Sequence, residues 1–516
     1  MHRHVLPIGI QTFAKLRETD CYYVDKTGFA LQLIESGTHY FLSRPRRFGK
    51  SLFLDTLGEL FSGNEPLFRG LHVHSRWDWS RSYPVIRLSF GGGLIKTPAE
   101  LERKIREQLR VNQAALGLSC TEPSVDGCLA ELIRLAHAAT GQRVVVLVDE
   151  YDKPILDNLT QPDVAREARD GLRNLYSVIK DSDAHIHFAF LTGVSKFSKV
   201  SLFSGLNNLR DITVSSEYSA ICGYTEADLD NVFAPELAGL DRAEIRTWYN
   251  GYNWTGDAVY NPFDVLLLFQ ERQFRPWWFE TATPTFLVDL LLERRVFVPR
   301  LGQLLASEAL LSTFDVDRIA TEALLFQTGY LTIDAVRQRG ALIEYRLRYP
   351  NLEVRASLTG ALLEQIVAVP EDPATRPSGL YDLLQVNDFA GIERLFSALF
   401  AGIPTDWYRN NPIAGYEGYY ASVFYAYFAS LGLDLTPEDS SNAGRLDMAL
   451  RFNGEIYLFE FKVVELAPEG RALQQIKDKG YANKYRAAGQ PIHLIGIEFS
   501  RQQRTLTRFE VETLPA

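Results

Sequence analysis

With 516 residues the chain exceeds what one hydrophobic core usually organises, so about two to four domains are expected. Its 46% apolar and 23% charged residues are those of an ordinary soluble globular protein, and its net charge of −10 argues against a generally basic nucleic-acid coat. Any such contact must come from local patches. No stretch approaches the roughly 18 apolar residues that span a bilayer, and Met1-His-Arg-His4 leads into no signal-peptide core, so the cytoplasm is the expected location and no membrane partner is expected. Cys21, Cys120, Cys128 and Cys222 show neither metal-ligand spacing nor a disulfide framework and read as reduced thiols.

The first two hundred residues alternate apolar runs with helical patterns, as α/β domains do. In Phe41-Leu-Ser-Arg-Pro-Arg-Arg-Phe-Gly-Lys-Ser51 a Gly-Lys-Ser triplet separates an apolar run from a helical pattern, which is where a P-loop would hold a nucleotide phosphate. The backbone N–H at Gly49 would cradle phosphate, Lys50 would reach the β and γ oxygens, and the Ser51 hydroxyl would hold Mg²⁺. The full pattern wants a further Gly five positions before Gly49, and Arg44 stands there.

Downstream, Arg143-Val-Val-Val-Leu-Val-Asp-Glu-Tyr-Asp152 runs five apolar residues into two carboxylates, the pattern of a strand buried on both faces of a parallel sheet. Asp149 would hold Mg²⁺ through its water shell and Glu150 would polarise an attacking water; the bland alternative is an acidic loop. Val85–Phe90 is expected as a strand, Pro98–Leu116 as a helix, and His185–Gly193 as a strand whose Thr192 either senses the γ-phosphate or is a turn residue.

From about Ser201 to Phe286 the chain is aromatic and loop-rich, with Trp248-Tyr-Asn-Gly-Tyr-Asn-Trp254, Tyr260-Asn-Pro262 and Trp277-Trp-Phe279. These residues fit a lid on the nucleotide domain, or, for most of them, ordinary core aromatics. Between Leu287 and Ser357 helices precede a hairpin, Tyr330–Ile333 and Ile343–Arg348, which suggests a winged-helix-like unit, with Asn351 opening a further helix. Pro370–Ser378 is a Pro-rich linker or loop.

Gly444–Lys462 reads as two strands around Asn453-Gly454, the strongest short hairpin signal. With those two residues as the loop, Phe452 faces Glu455, and counting back sets Asp447 opposite Glu460. Opposed carboxylates about 4.5–5.5 Å apart at Cβ are destabilising unless something positive lies between them. Lys462 projects from the same face, whereas Phe459 and Phe461 project from the other. The set suits hydrolysis of a phosphodiester with a divalent metal held by Asp447 and Glu460 and water oriented by Lys462; the alternative is a surface hairpin whose Lys neutralises its acids. The helix beginning near Leu473 brings Gln475 and Tyr481 close. Lys477, Lys479, Lys484, Arg486, Arg501, Arg504 and Arg508 outnumber nearby acids, a set that could track a phosphate backbone or form a solvated face.

On Tyr22–Thr27, Arg44–Ser51, Leu147–Asp152, Leu191–Phe197, Phe203–Asn208, Tyr260–Pro262 and the hairpin from Gly444-Arg-Leu-Asp447 to Glu460-Phe-Lys462, nearly the whole chain resembles bacterial AAA-ATPase-like proteins with a C-terminal PD-(D/E)XK nuclease-superfamily domain. The resemblance implies an α/β fold class: a P-loop NTPase domain with a parallel sheet over 1–200, an aromatic-rich lid extension over 201–286, a helical, winged-helix-like region and linker over 287–395, and a restriction-endonuclease-like domain over 396–516. It implies ATP and Mg²⁺ as cofactors, with Arg46, Arg47, Phe48, Gly49, Lys50, Ser51 and Thr192 at the nucleotide and Arg44 as a family trait. Asp447, Glu460 and Lys462 become the nuclease core, with Glu417 and Gln475 as accessories, and Leu446 stands where the superfamily's name has Pro.

The leading expectation is an ATPase whose nucleotide state controls a metal-dependent nuclease acting on DNA or RNA. The rival is a nucleotide-switched signalling or scaffold protein whose nuclease-like domain binds without cutting. An arginine acting in trans, Arg46, Arg47 or Arg210, is compatible with the sequence and would make the chain a homo-oligomer.

Overall fold

Buried Val-rich strands and capped amphipathic helices alternate in the N-terminal part of the computed structural model, which describes residues 3–196, 208–282, 285–294, 296–311, 319–366, 377–401, 417–441, 444–503 and 505–516. Strands β1 (His39–Ser43), β2 (Val85–Ser89), β3 (Val144–Asp149), β4 (Ile186–Gly193) and β5 (Arg210–Asp211) form one parallel sheet in the order β2-β3-β4-β1-β5. Every residue of β3 is buried, as a strand covered on both faces requires. The helix Pro98–Leu116 starts where the Thr97 hydroxyl accepts from the Glu100 amide, and Val125–Thr140 starts on Ser124 in the same way. Because β4 lies between β1 and β3, the loop after β1 and the acids ending β3 open on one crevice at the carboxyl end of the sheet.

The chain divides into two compact units, 1–282 with 304–351, and 283–303 with 352–516. The aromatic stretch after residue 208 is thus part of the first unit. Tyr249, Tyr260, Phe233 and Phe269 build a core there with Tyr22 and Val24 from the N-terminal segment, so most of these rings are packing residues. The same unit holds a small sheet, β6 (Leu305–Ser307), β7 (Thr332–Arg339) and β8 (Leu342–Arg348), in the order β6-β8-β7. With the helix Thr321–Thr328 between β6 and β7, this is a winged-helix-like arrangement. The stretch 287–395 is divided between the units, since the helix from Leu352 belongs to the second.

In the second unit β9 (Asp434–Ser441), β10 (Gly444–Phe452), β11 (Glu455–Val464), β12 (Ile492–Ser500) and β13 (Leu506–Leu514) are ordered β13-β12-β11-β10-β9. Only β11 and β12 run parallel, joined through the helix Arg471–Asp478. Phe424 and Phe428 of the helix Glu417–Ser430 pack on Phe461 and Phe459 at ring distances of 5.0 and 5.3 Å. Among the described residues no helix is long and apolar enough to cross a membrane. The motif Phe203–Asn208 falls almost wholly outside the described residues, as do Arg504, most of the Pro370–Ser378 segment and the side chain of Glu417.

Candidate active sites

The loop after β1 turns through two left-handed positions, Arg47 at φ 69° and Gly49 at φ 90°. Gly49 takes its conformation without the steric cost a side chain would bring, and the helix Lys50–Phe61 begins directly after it with no side-chain cap. A helix start leaves its first amides without intrahelical partners, which suits an anionic ligand. Gly49, Lys50 and Ser51 line one end of a cavity of about 390 Å³, and Glu150, Lys26, Tyr224 and Phe263 also line it. Its size and uncapped helix start fit a nucleotide phosphate chain.

Lys50 is buried, and its Nζ donates to the carbonyls of Arg44 at 2.8 Å and Pro45 at 2.9 Å. Burial lowers its pKa, against the pull of Asp149 and Glu150. Arg46 and Arg47 are exposed at the loop, the Arg47 guanidinium 4.8 Å above the ring of Phe263. Phe48 is an anchor, its ring 4.7 Å from Tyr252 and 5.6 Å from Trp254. Arg44 grips no ligand surface. It is fully buried, donates to the carbonyls of Ser43 (2.8 Å), Thr213 (2.8 Å) and Tyr218 (2.9 Å), and lies 3.9 Å above Trp254. The residue in the place of a P-loop glycine is therefore a bolt between the loop and the chain after β5.

Asp149 is buried at the end of β3 and its Oδ1 accepts from the Thr192 hydroxyl at 2.6 Å. Neither Thr192 nor Asp149 lines the cavity, and the wholly buried Thr192 hydroxyl, by its hydrogen bond, orients the Asp149 carboxylate. Glu150 follows at φ 50° and lines the cavity. Burial raises its pKa, with Lys50 opposing, so its carboxylate is more basic than an ordinary Glu. Asp152 has a structural part that the acidic pair alone does not announce. It is buried and accepts from the amides of Val194 (3.1 Å) and Ser195 (2.6 Å), tying the turn after β3 to the end of β4. Its place two residues after the acidic pair was the available signal.

In the second unit the hairpin register is Phe452 with Glu455 through to Met448 with Phe459, around Asn453 at φ 50° and Gly454 at φ 78°. Both loop residues lie in the left-handed region, as a type I′ turn requires. One step beyond the last ladder pair, the Asp447 Oδ2 accepts from the Phe461 amide at 2.8 Å. Glu460 is 1% exposed. Its Oε1 accepts from the Gln475 side chain and lies 3.4 Å from the Lys462 ammonium. The structure thus brings Asp447, Glu460, Lys462 and Gln475 together on two strands and one helix. Among the described residues no group of three or more His, Cys, Asp or Glu could hold a metal. Two carboxylates still fit Mg²⁺, which keeps several waters and uses few protein ligands.

Two residues outside the motif set the position of Gln475. Glu498 of β12, buried, accepts from the amides of Glu469 and Arg471 at 2.6 Å each, and so closes the start of the helix Arg471–Asp478. Gly496 pairs with Glu460 across β11 and β12, and a Cβ there would stand 2.2 Å from the Leu473 backbone nitrogen. Backbone cannot rotate away. Gly496→Ala is expected to push the helix off the sheet and separate Gln475 from Glu460, lowering any metal-dependent cleavage about 10–100-fold, with ATP turnover unchanged. Paired cleavage and turnover assays check this. Most of the C-terminal basic excess is neutralised locally: Lys477 pairs with Glu512, Lys484 with Asp439, Arg501 with Glu465 and Arg508 with Glu510.

Residues 7–203 match the family model described as predicted AAA-ATPase, and residues 415–509 match that of the PD-(D/E)XK nuclease superfamily. Over 515 residues the chain is 70% identical to a protein of Azotobacter chroococcum mcd 1 named "Uncharacterized protein in vnfD 5'region", with 100% of both chains covered.

Proposed function

From a chain that belongs to the AAA-ATPase-like family with a C-terminal PD-(D/E)XK nuclease-superfamily domain, we propose an ATP- and Mg²⁺-binding ATPase whose nucleotide state controls Mg²⁺-dependent cleavage of a nucleic acid. The observation that carries the reading is the buried Glu460 held between Lys462 and Gln475 beside Asp447, on a sheet distinct from the one that builds the Lys50 cavity. Solvated surface pairs need no such burial.

In the first unit the amides at the start of Lys50–Phe61 and the Lys50 ammonium bind phosphate oxygens, while Ser51 and, through the water shell, Asp149 would hold Mg²⁺. Arg46 and Arg47 stand ready at the exposed rim for the outer phosphate. Glu150 orients and deprotonates the attacking water. In the second unit Asp447 and Glu460 would hold the metal, and Lys462 orients water or the scissile phosphate. Bound Mg²⁺ supplies Lewis acidity at the phosphoryl oxygen and a more acidic water. Gln475 fixes the Glu460 carboxylate.

The test is ATP turnover and cleavage of single- and double-stranded DNA and RNA, with and without ATP, in the full chain and in Lys50→Ala and Lys462→Ala. Lys50→Ala should lose turnover and the effect of ATP on cleavage. Lys462→Ala should lose cleavage and keep turnover. Unchanged turnover in the first variant, or unchanged cleavage in the second, overturns the corresponding half. Nucleotide binding with no cleavage under any divalent metal would favour the non-cutting switch.

A further inference from the structure

The β7–β8 ribbon carries an exposed basic face in a chain of net charge −10. Every residue from Val336 to Leu342 is exposed, and this tip contains Arg337 and Arg339 with no acid. Alternation along the strands sends Tyr345 and Leu347 inward, buried, and Arg346 and Glu344 to the opposite face, where Arg346 pairs with Ala335, Arg337 with Glu344 and Arg339 with Leu342, so that three arginines share this face with one Glu. On that outer face Arg346 is held by Asp334 at 2.5 Å, and Arg339 stands only loosely against Glu344 at 3.7 Å. No ion pair or hydrogen bond engages Arg337 among the described residues.

The winged-helix-like arrangement would ordinarily make the helix before the ribbon the groove reader. Here that helix, Thr321–Thr328, cannot serve, because Ala323, Leu324, Leu325, Phe326 and Gln327 are all buried. Its C-terminal Gly329 lies so close to Pro45 of the nucleotide loop that a Cβ would meet that ring at 2.7 Å. Tyr330 continues the contact, 5.3 Å from the ring of Trp278, whose Nε1 donates to the Arg46 carbonyl at 3.0 Å. The helix is spent on the nucleotide loop, and the ribbon is what remains outside.

We infer that the β7–β8 ribbon is a nucleic-acid contact, laying Arg337 and Arg339 against the phosphate backbone of a duplex. This rests on the nucleic-acid reading of the proposed function. A two-stranded ribbon fits the major groove. Arginines two residues apart on a strand are about 6.8 Å apart, twice the axial rise per phosphate of one DNA strand. Both are exposed guanidiniums, the group best suited to phosphate. The exposed Leu342, opposite Arg339, supplies apolar contact without an aromatic anchor of the kind a protein interface concentrates.

The experiment compares equilibrium binding of a fluorescent DNA duplex, by anisotropy across a salt series, in the full-length Lys462→Ala protein with and without Arg337→Glu/Arg339→Glu. The charge reversal should weaken binding about tenfold or more and flatten the log–log salt slope by about two. Arg337→Lys/Arg339→Lys, which keeps both charges, should retain the slope. ATP turnover should be the same in all, since neither arginine lines the nucleotide cavity. Equal affinity and slope after charge reversal overturn the ribbon contact while leaving nucleic-acid binding intact. A parent that binds no duplex overturns the ribbon contact, and one that also binds no single strand or RNA brings down the nucleic-acid reading with it.

Discussion

Glu150→Gln is expected to lower ATP turnover by about 10²–10⁴-fold while nucleotide binding survives, because it removes a base and keeps the shape. The left-handed backbone at φ 50° is as open to Gln as to Glu, so the turn after β3 is undisturbed. Lys50 and the uncapped helix start, which are proposed to carry the affinity, are untouched. The pH dependence gives the prediction a second readout. Burial raises the Glu150 pKa from 4.5, so the proton returns at a higher pH than for an exposed Glu, and turnover should fall on acidification with a midpoint above 4.5. In Glu150→Gln that acidic limb should disappear from the residual rate. Single-turnover hydrolysis and fluorescent-nucleotide binding across pH check both; loss of binding equal to the loss of rate would remove Glu150 from the role of base.

Arg44→Ala is expected to cost about 3–5 kcal/mol, because three interior carbonyls lose a charged donor and a cavity opens beneath Trp254. Burial pulls the guanidinium down to about 10, so at neutral pH it remains the charged donor those carbonyls face. Arg44→Lys keeps the charge but not the planar fork and should recover only part of the loss. Thermal unfolding of the full chain should show its first-unit transition lowered by about 5–10 °C for Arg44→Ala. An unchanged transition, with nucleotide affinity alone reduced, would make Arg44 a phosphate ligand instead.

Much of both sites was legible beforehand, for local reasons. A buried parallel strand must be apolar throughout, so Val144–Val148 announced β3 and put Asp149 and Glu150 at its exit. Asn453-Gly454 dictates a two-residue turn, and a two-residue turn dictates register, which holds from Phe452–Glu455 to Met448–Phe459 and ends one step short of Asp447 and Glu460. The strands Val85–Ser89 and Ile186–Gly193 and the helix Pro98–Leu116 carried equally local signals.

What only tertiary structure decided lies in contacts between residues far apart in the chain. Arg44 is polar and sits in a phosphate-binding motif, so nothing local distinguishes gripping a ligand from bolting the loop to Thr213 and Tyr218. Thr192 could face a phosphate or a carboxylate, and the order that puts β4 beside β3 chose Asp149. Gly496 and Glu498 look like an ordinary strand until the crossing helix is laid on them. By itself the sequence determined the elements, the hairpin register and the chemical kinds of residue at both sites. Tertiary structure assigned each polar side chain its partner, because a buried charge or amide is satisfied by whatever the topology brings within reach, and topology is a property of the whole chain.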